Sequence, residues 1–138
     1  MKTIFVCRGN VARSQMAEIF YNELHSENPS VSAGTKVFNK EGVSQDGTRL
    51  ETLTNSEALF ESMDEIGIDL RPYVRVQLTP EMLEGFERVI VMAEPETIPE
   101  YLQNNPHMTY WEVEDPKGQS LERTREIPEQ IRGLVRGL

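Results

Sequence analysis

Cysteine is nearly absent from this chain, and histidine and tryptophan are scarce: 138 residues hold one Cys, two His and one Trp. A lone thiol forms no internal disulfide, so Cys7 is either a small buried hydrophobe or a reactive thiol in a reducing compartment. His, Cys and Asp nowhere fall at metal-ligand spacing, and a Walker A loop is missing, so no metal is expected. Basic residues are outnumbered, 14 Lys and Arg against 23 Asp and Glu, for a net charge of -9 and a pI near 4.7. That balance offers no basic face to a nucleic acid or to an anionic membrane. The chain also lacks an apolar run long enough to span a bilayer and a leader pattern ahead of Cys7, which points to the cytoplasm. Acidity repels anions at long range, but screening beyond about 8 Å leaves a local cluster of donors free to bind one.

What remains is an ordinary globular composition, 38% hydrophobic and 27% charged, at a length that suits one domain over residues 1–138. The most informative stretch is residues 2 to 14. Thr3-Ile4-Phe5-Val6 is β-branched and aromatic without polar alternation, the pattern of a strand buried on both faces in a parallel sheet. Gly9 and Asn10 are residue types that tolerate positive φ, as a loop curled around a ligand demands. A helix is expected from about Arg13, with Met16, Phe20 and Leu24 along one stripe, ending near Asn28-Pro29.

Further on, Val31-Ser32-Ala33 reads as a second strand closed by Gly34-Thr35, and residues 36 to 53 as a long polar loop. Thr54-x-x-Glu57 has the form of a capping box before a helix carrying Leu59, Met63 and Ile66 and stopped by Gly67. Tyr73 to Leu78 alternates weakly and fits an edge strand or an extended loop. Thr79-Pro80 opens a short helix, Arg88 to Met92 is a second buried strand, Pro95 to Leu102 another short helix, and Met108 to Trp111 a last strand. The final helix is expected from Ser120 to Val135, kinked or broken at Pro128. No internal repeat interrupts this βαβαβαβα order, which predicts an α/β fold: a parallel sheet with helices on both faces and its ligand site at the strands' carboxyl ends.

Cys7 and Asp115 both follow such strand ends. A thiol attacks as thiolate, and its ordinary pKa of about 8.5 leaves little of that form at neutral pH. The loop supplies what favours it: backbone N–H groups of residues 8 to 13, a helix N-terminus, the Arg13 guanidinium and the nearby Ser14 hydroxyl. The same donors suit the three equatorial oxygens of a transferring phosphoryl group, with Arg13 as a bidentate fork. A leaving oxygen needs an acid, and Asp115, extended by Pro116, is better placed than His25 or His107. An ordinary Asp pKa of about 3.9 is low for that task, and approach of Glu112 and Glu114 would raise it. In a random chain a Cys and an Arg with five residues between them are more often a buried Cys beside a surface Arg. Here a strand precedes it, a helix follows, and Gly-Asn and Ser complete it. For Asp115 an ordinary Asp-Pro turn is about as good a reading. Trp111, Phe38 and Tyr110 fit a core more readily than a substrate wall.

Cys7-Arg8-Gly9-Asn10-Val11-Ala12-Arg13-Ser14 resembles the signature loop of the low-molecular-weight protein tyrosine phosphatases and their arsenate-reductase relatives. The likeness continues through Gln15-Met16-Ala17-Glu18, Ser32-Ala33-Gly34-Thr35, Gly67-Ile68-Asp69, Leu78-Thr79-Pro80-Glu81, Val89-Ile90-Val91-Met92, and Trp111 with Asp115-Pro116. The resemblance implies a four-stranded parallel sheet in a three-layer α/β/α arrangement, and a phosphatase without metal or other cofactor. Cys7 would form a phosphocysteine and Asp115 would serve as acid and then base. Arg13 would bind the phosphoryl oxygens together with the loop residues Arg8, Gly9, Asn10, Val11, Ala12 and Ser14. Asn10 would hold the loop's left-handed bend through Ser14 and Ser32. The partner implied is a phosphorylated protein or small phosphomonoester, with phosphate or another oxyanion in the loop.

Departures from the family pattern bear on substrate. Ala12 stands where the phosphatases often carry a second cysteine, so Cys7 has no vicinal disulfide partner. Arg8 at the rim and Lys117-Gly118 replace apolar and aromatic residues of tyrosine-specific members. Phe38 is a candidate for one aromatic wall. Val11 stands where phosphoarginine-specific relatives have Thr, and the Thr35–Leu53 loop is long. Gln15-Met16-Ala17-Glu18 is closer to the arsenate-reductase branch; a three-cysteine relay is excluded, but a single-cysteine arsenate reductase using an external low-molecular-weight thiol is the alternative. A phosphate-binding or redox-sensing module without turnover is the third.

Overall fold

A computed structural model describes residues 1–138. Strands β1 (Thr3–Cys7), β2 (Val31–Gly34), β3 (Arg88–Val91) and β4 (Met108–Tyr110) form one sheet in the order β2-β1-β3-β4. Every pairing is parallel, with Ile4 opposite both Val31 and Val89, and Val91 opposite Tyr110. All five residues of β1 are buried, which is why its sequence shows no polar alternation.

Successive β1 side chains enter different cores, following the two-residue period of a strand. Phe5 and Cys7 join Met16 and Phe20 of α1 (Arg13–Leu24), Met63 of α2 (Glu57–Asp64), and Ile127 and Ile131 of α4 (Leu121–Arg136). Ile4 and Val6 join Leu83, Ile98, and Leu102 of α3 (Glu100–Gln103) on the opposite face. Helices therefore cover both faces in three layers. From β1 the chain turns toward β2, and from β3 toward β4, so a crevice opens between the carboxyl ends of β1 and β3.

Several local expectations are corrected. Helix α1 ends at Leu24, short of Asn28-Pro29. The capping box does not form, because Ser56 rather than Thr54 is the N-cap of α2 and makes no side-chain cap bond. Pro95 to Leu102 splits into a 3-10 turn at Pro95–Thr97 and α3, with Pro99 between them. Helix α4 runs unbroken through Pro128. A mid-helix proline costs about 3 kcal/mol, but Ile127, Pro128, Ile131 and Val135 are all buried on one side, and that packing outweighs the lost hydrogen bond. Its start is capped by Ser120, whose hydroxyl accepts the Arg123 N–H.

Two segments of irregular sequence close against the site. Residues 36 to 53 fold as an arch with a Phe38–Ser44 bridge and a 3-10 turn at Leu50–Thr52 whose Leu50 is fully buried. Residues 73 to 78 are extended without being a full strand. They bridge Arg49 through Val74 and lie parallel beside the end of β2, where the Gly34 N–H donates to the Val76 carbonyl at 2.8 Å and the Leu78 N–H to the Gly34 carbonyl at 2.8 Å.

Candidate active site

Strand β1 delivers Cys7, almost fully buried, to the crevice, and the chain then curls through Arg8–Ala12 into α1. Asn10 supplies the bend with φ 53°, a left-handed conformation few side chains tolerate. Its amide is satisfied on every side. Nδ2 donates to Ser14 Oγ at 2.8 Å and to Ser32 Oγ at 3.1 Å. Oδ1 accepts the Val76 N–H at 2.8 Å and Gln15 Nε2 at 3.3 Å. Ser14 Oγ accepts from Asn10 and is hydrogen-bonded to Cys7 Sγ at 3.0 Å, with a proton of its own to donate once the sulfur is a thiolate.

Gly34 lets β2 pass directly under this loop. A Cβ there would lie 2.7 Å from the Arg8 carbonyl oxygen and 2.8 Å from the Asn10 nitrogen, a backbone clash that no side-chain movement relieves. The Thr35 and Lys36 N–H groups also tie the loop down, donating to the Cys7 and Arg8 carbonyls at 2.9 and 2.8 Å.

The loop's outward donors are another matter. Backbone N–H groups from Arg8 to Gln15 find no acceptor within the chain, and all of them belong to the loop and first helical turn that lead from Cys7 into α1. Helix α1 has neither a side-chain cap nor an acidic residue in its first turn. Unclaimed donors beside a helix N-terminus suit an anion, and Cys7 opens the loop that carries them.

Arg13 is buried beneath the rim with its guanidinium in the crevice. Nη1 donates to Glu94 Oε2 at 2.9 Å and to the Val113 carbonyl at 3.1 Å, while Nη2 donates to Glu94 Oε1 at 3.3 Å. Asp115 lies farther off, its Oδ2 3.8 Å from Nη2. Burial alone would lower the Arg13 pKa, but Cys7, Glu94 and Asp115 together hold it above its ordinary value. Burial would raise Glu94, yet the Arg13 bonds and charge keep it below the usual range. Asp115 is half exposed, and its Oδ1 caps the following turn by accepting the Lys117 N–H at 3.0 Å. Glu114, expected to crowd Asp115, is turned onto Arg123 at 2.6 Å instead.

The structure thus links Cys7, Ser14, Asn10 and Ser32 in one hydrogen-bonded set, while Arg13 is bonded separately to Glu94 and the Val113 carbonyl with Asp115 at its edge. Arg8 is exposed at the rim, Gly9 and Val11 are half-buried, and Ala12 is buried in the core. Trp111 packs on Phe5 at 6.0 Å between centroids, whereas Phe38 and Tyr110 are exposed and contribute nothing to the cores.

Sequence reasoning missed three contributors. Gln15 Nε2 donates to the Asn10 carbonyl at 3.2 Å and to the Val74 carbonyl at 3.0 Å, tying the loop to segment 73–78. Arg75, a buried guanidinium with no carboxylate partner, donates from Nε to the Gly9 carbonyl at 3.1 Å. Burial lowers its pKa and the nearby Cys7 charge opposes that. Glu94 sits just beyond β3, so the strand-end rule that singled out Asp115 would have found it too; no local signal marked Arg75.

Glu18, one turn after Ser14, faces Ser32 and a groove that also holds Asn22, Glu23, Asp69 and Tyr73. Burial pushes its carboxyl up to about 7, with the neighbouring Ser32 opposing the shift. A folded-state pKa above the unfolded value means stability that is full at acidic pH and lost as pH rises through about 7. Glu18→Gln is therefore expected to melt with wild type near pH 4 and above it at pH 8, by about 1 kcal/mol given its partial exposure. Thermal melts across that range measure the difference, and equal Tm values at pH 8 would refute it.

A four-stranded parallel α/β fold that ends its central strand on a thiol opening a loop of unclaimed N–H donors defines a class of oxyanion-handling cysteine proteins. Residues 2–138 match the model of the low molecular weight phosphotyrosine protein phosphatase family. The chain belongs to that family. A glutaredoxin arsenate reductase of Synechocystis sp. is 30% identical over 99% of this chain and 95% of its own length. Among solved structures, a low molecular weight protein tyrosine phosphatase from T. tengcongensis is 28% identical with a TM-score of 0.70, covering 99% of this chain and 95% of that one. An arsenate reductase in its phosphate binding state is 27% identical with a TM-score of 0.71 and the same coverage, 99% and 95%.

Proposed function

We propose that this chain is a cysteine-dependent phosphomonoester phosphatase of the protein-tyrosine-phosphatase type, acting in the cytoplasm on a phosphorylated protein or small phosphomonoester. The observation that carries the proposal is the run of unclaimed N–H groups from Arg8 to Gln15 that follows Cys7. Those donors and the free edge of Arg13 hold the phosphoryl oxygens. Cys7 Sγ attacks phosphorus, an S–P bond forms as the P–O bond to the leaving group breaks, and Asp115 gives that oxygen its proton. Water then attacks the phosphocysteine, Asp115 takes back a proton, and the S–P bond breaks to return the thiolate. Ser14 steadies the sulfur in both steps from 3.0 Å.

Arsenate reduction is the second reading, favoured by the Synechocystis relative and by a Staphylococcus xylosus arsenate reductase 27% identical over 95% of this chain. With one cysteine, an external thiol would have to attack arsenylated Cys7, releasing As(III) and leaving a mixed disulfide that a second thiol reduces. Hydrolysis of p-nitrophenyl phosphate, assayed beside thiol-dependent arsenate loss, separates the two. Phosphatase turnover supports the proposal, arsenate turnover alone replaces it with the second reading, and phosphate binding without either leaves a binding module. Asp115→Asn is expected to slow phenyl phosphate, a poor leaving group, by about 10²-fold or more and p-nitrophenyl phosphate much less. Equal losses on both substrates would remove Asp115 as the acid.

A further inference from the structure

We propose that Glu94 is a positioning residue for Arg13, selecting which edge of its guanidinium meets the oxyanion. An arginine head carries five N–H donors in one plane, grouped as an end-on edge across Nη1 and Nη2 and a side-on edge across Nε and Nη2. Glu94 engages the end-on edge with both carboxylate oxygens, at 2.9 and 3.3 Å. The Val113 carbonyl takes the other Nη1 hydrogen at 3.1 Å. The Nε–H and the second Nη2–H remain, and they lie together on the side-on edge, with only Asp115 near it at 3.8 Å. A bidentate pair with a phosphoryl or arsenyl group therefore has one edge to use.

Glu94 is itself held ready. Pro95 keeps it extended at φ -61° and ψ 131°, and its carbonyl accepts the Thr97 N–H at 2.8 Å and the Thr97 hydroxyl at 2.7 Å. The backbone is thus fixed at the end of β3, across the crevice from the Cys7 loop. A carboxylate beside an oxyanion site opposes ground-state binding. Its presence is consistent with a role in orientation, where a misplaced fork costs more in the transition state than in simple anion binding.

The proposal rests on the oxyanion chemistry above, but its test can be read without turnover. Vanadate adopts the five-coordinate geometry of phosphoryl transfer, whereas inorganic phosphate is tetrahedral. Glu94→Ala is expected to lower kcat and vanadate affinity together, by about 10- to 100-fold, while phosphate affinity stays within about twofold of wild type or tightens. Glu94→Gln, which keeps one acceptor for the fork, should recover part of the loss. General loosening of the site would instead weaken phosphate and vanadate alike, and that result, or an unchanged vanadate-to-phosphate ratio, overturns the proposal. If wild type turns over neither phosphomonoester nor arsenate, the functional proposal falls while the vanadate-to-phosphate ratio still decides the role of Glu94.

Discussion

Cys7→Ser is expected to abolish turnover of p-nitrophenyl phosphate, with a loss of about 10⁴-fold or more, while phosphate binding and Tm stay near wild type. The separation follows from where each contribution arises. Cys7 is the only thiol in the chain and opens the loop that carries the unclaimed N–H groups, so no other thiol can take its place. A serine hydroxyl at neutral pH has essentially no anionic form, whereas a thiol needs only the local donors to supply one. The donors themselves belong to the backbone from Arg8 to Gln15 and survive the substitution, as does the hydrogen bond available to Ser14. Steady-state rates beside phosphate titration of the variant measure both halves. Residual activity above about one part in a hundred, beyond the trace expected of a minor contaminant, would mean that Cys7 is not the nucleophile.

Arg13→Lys should rank next, with kcat lowered by about 10²- to 10³-fold and phosphate affinity weakened as well. Charge is retained, so the loss reports geometry. Lysine offers three donors from one nitrogen and no planar fork, and it cannot satisfy Glu94, the Val113 carbonyl and an oxyanion from one place. Its ammonium is expected to settle on Glu94, the nearest carboxylate, leaving the oxyanion edge without a donor. The contrast with Glu94→Ala is diagnostic: loss of Arg13 weakens ground-state and transition-state analogues together, whereas loss of Glu94 separates them. If Arg13→Lys stayed within about tenfold of wild type, a point charge would suffice and the fork would be irrelevant.

Fold and site were legible in unequal measure. Strands β1 and β3 announce themselves as unbroken apolar runs because both sheet faces are covered, and that burial leaves no alternation to read. The stripe of α1 was equally plain at Met16 and Phe20, but Leu24, its expected third member, is exposed at the last turn, where the helix has run past the core. Pro128 misled, since a rule about local hydrogen bonding says nothing of the apolar face that carries α4 past it. Segment 73–78 was ambiguous for a related reason. Its extended course is set by Gly34, by Gln15 and by the Asn10 carboxamide, not by its own weak alternation.

What the sequence alone determined is the loop. Cys7 and Ser14 are seven residues apart, the bend is written in Asn10, while Gly9 beside it keeps an ordinary φ, and α1 begins at Arg13, so local preferences place nucleophile, donors and guanidinium together. What only the tertiary structure decided is how that loop is held and which edge of Arg13 stays free. Arg75 reaches Gly9 across 66 residues, Glu94 reaches Arg13 across 81, and Val113 across 100. Contacts of that span depend on strand order and on which loops share the crevice between β1 and β3. Local propensity carries no information about either, because the partner in each case is fixed by packing of the whole sheet and its covering helices.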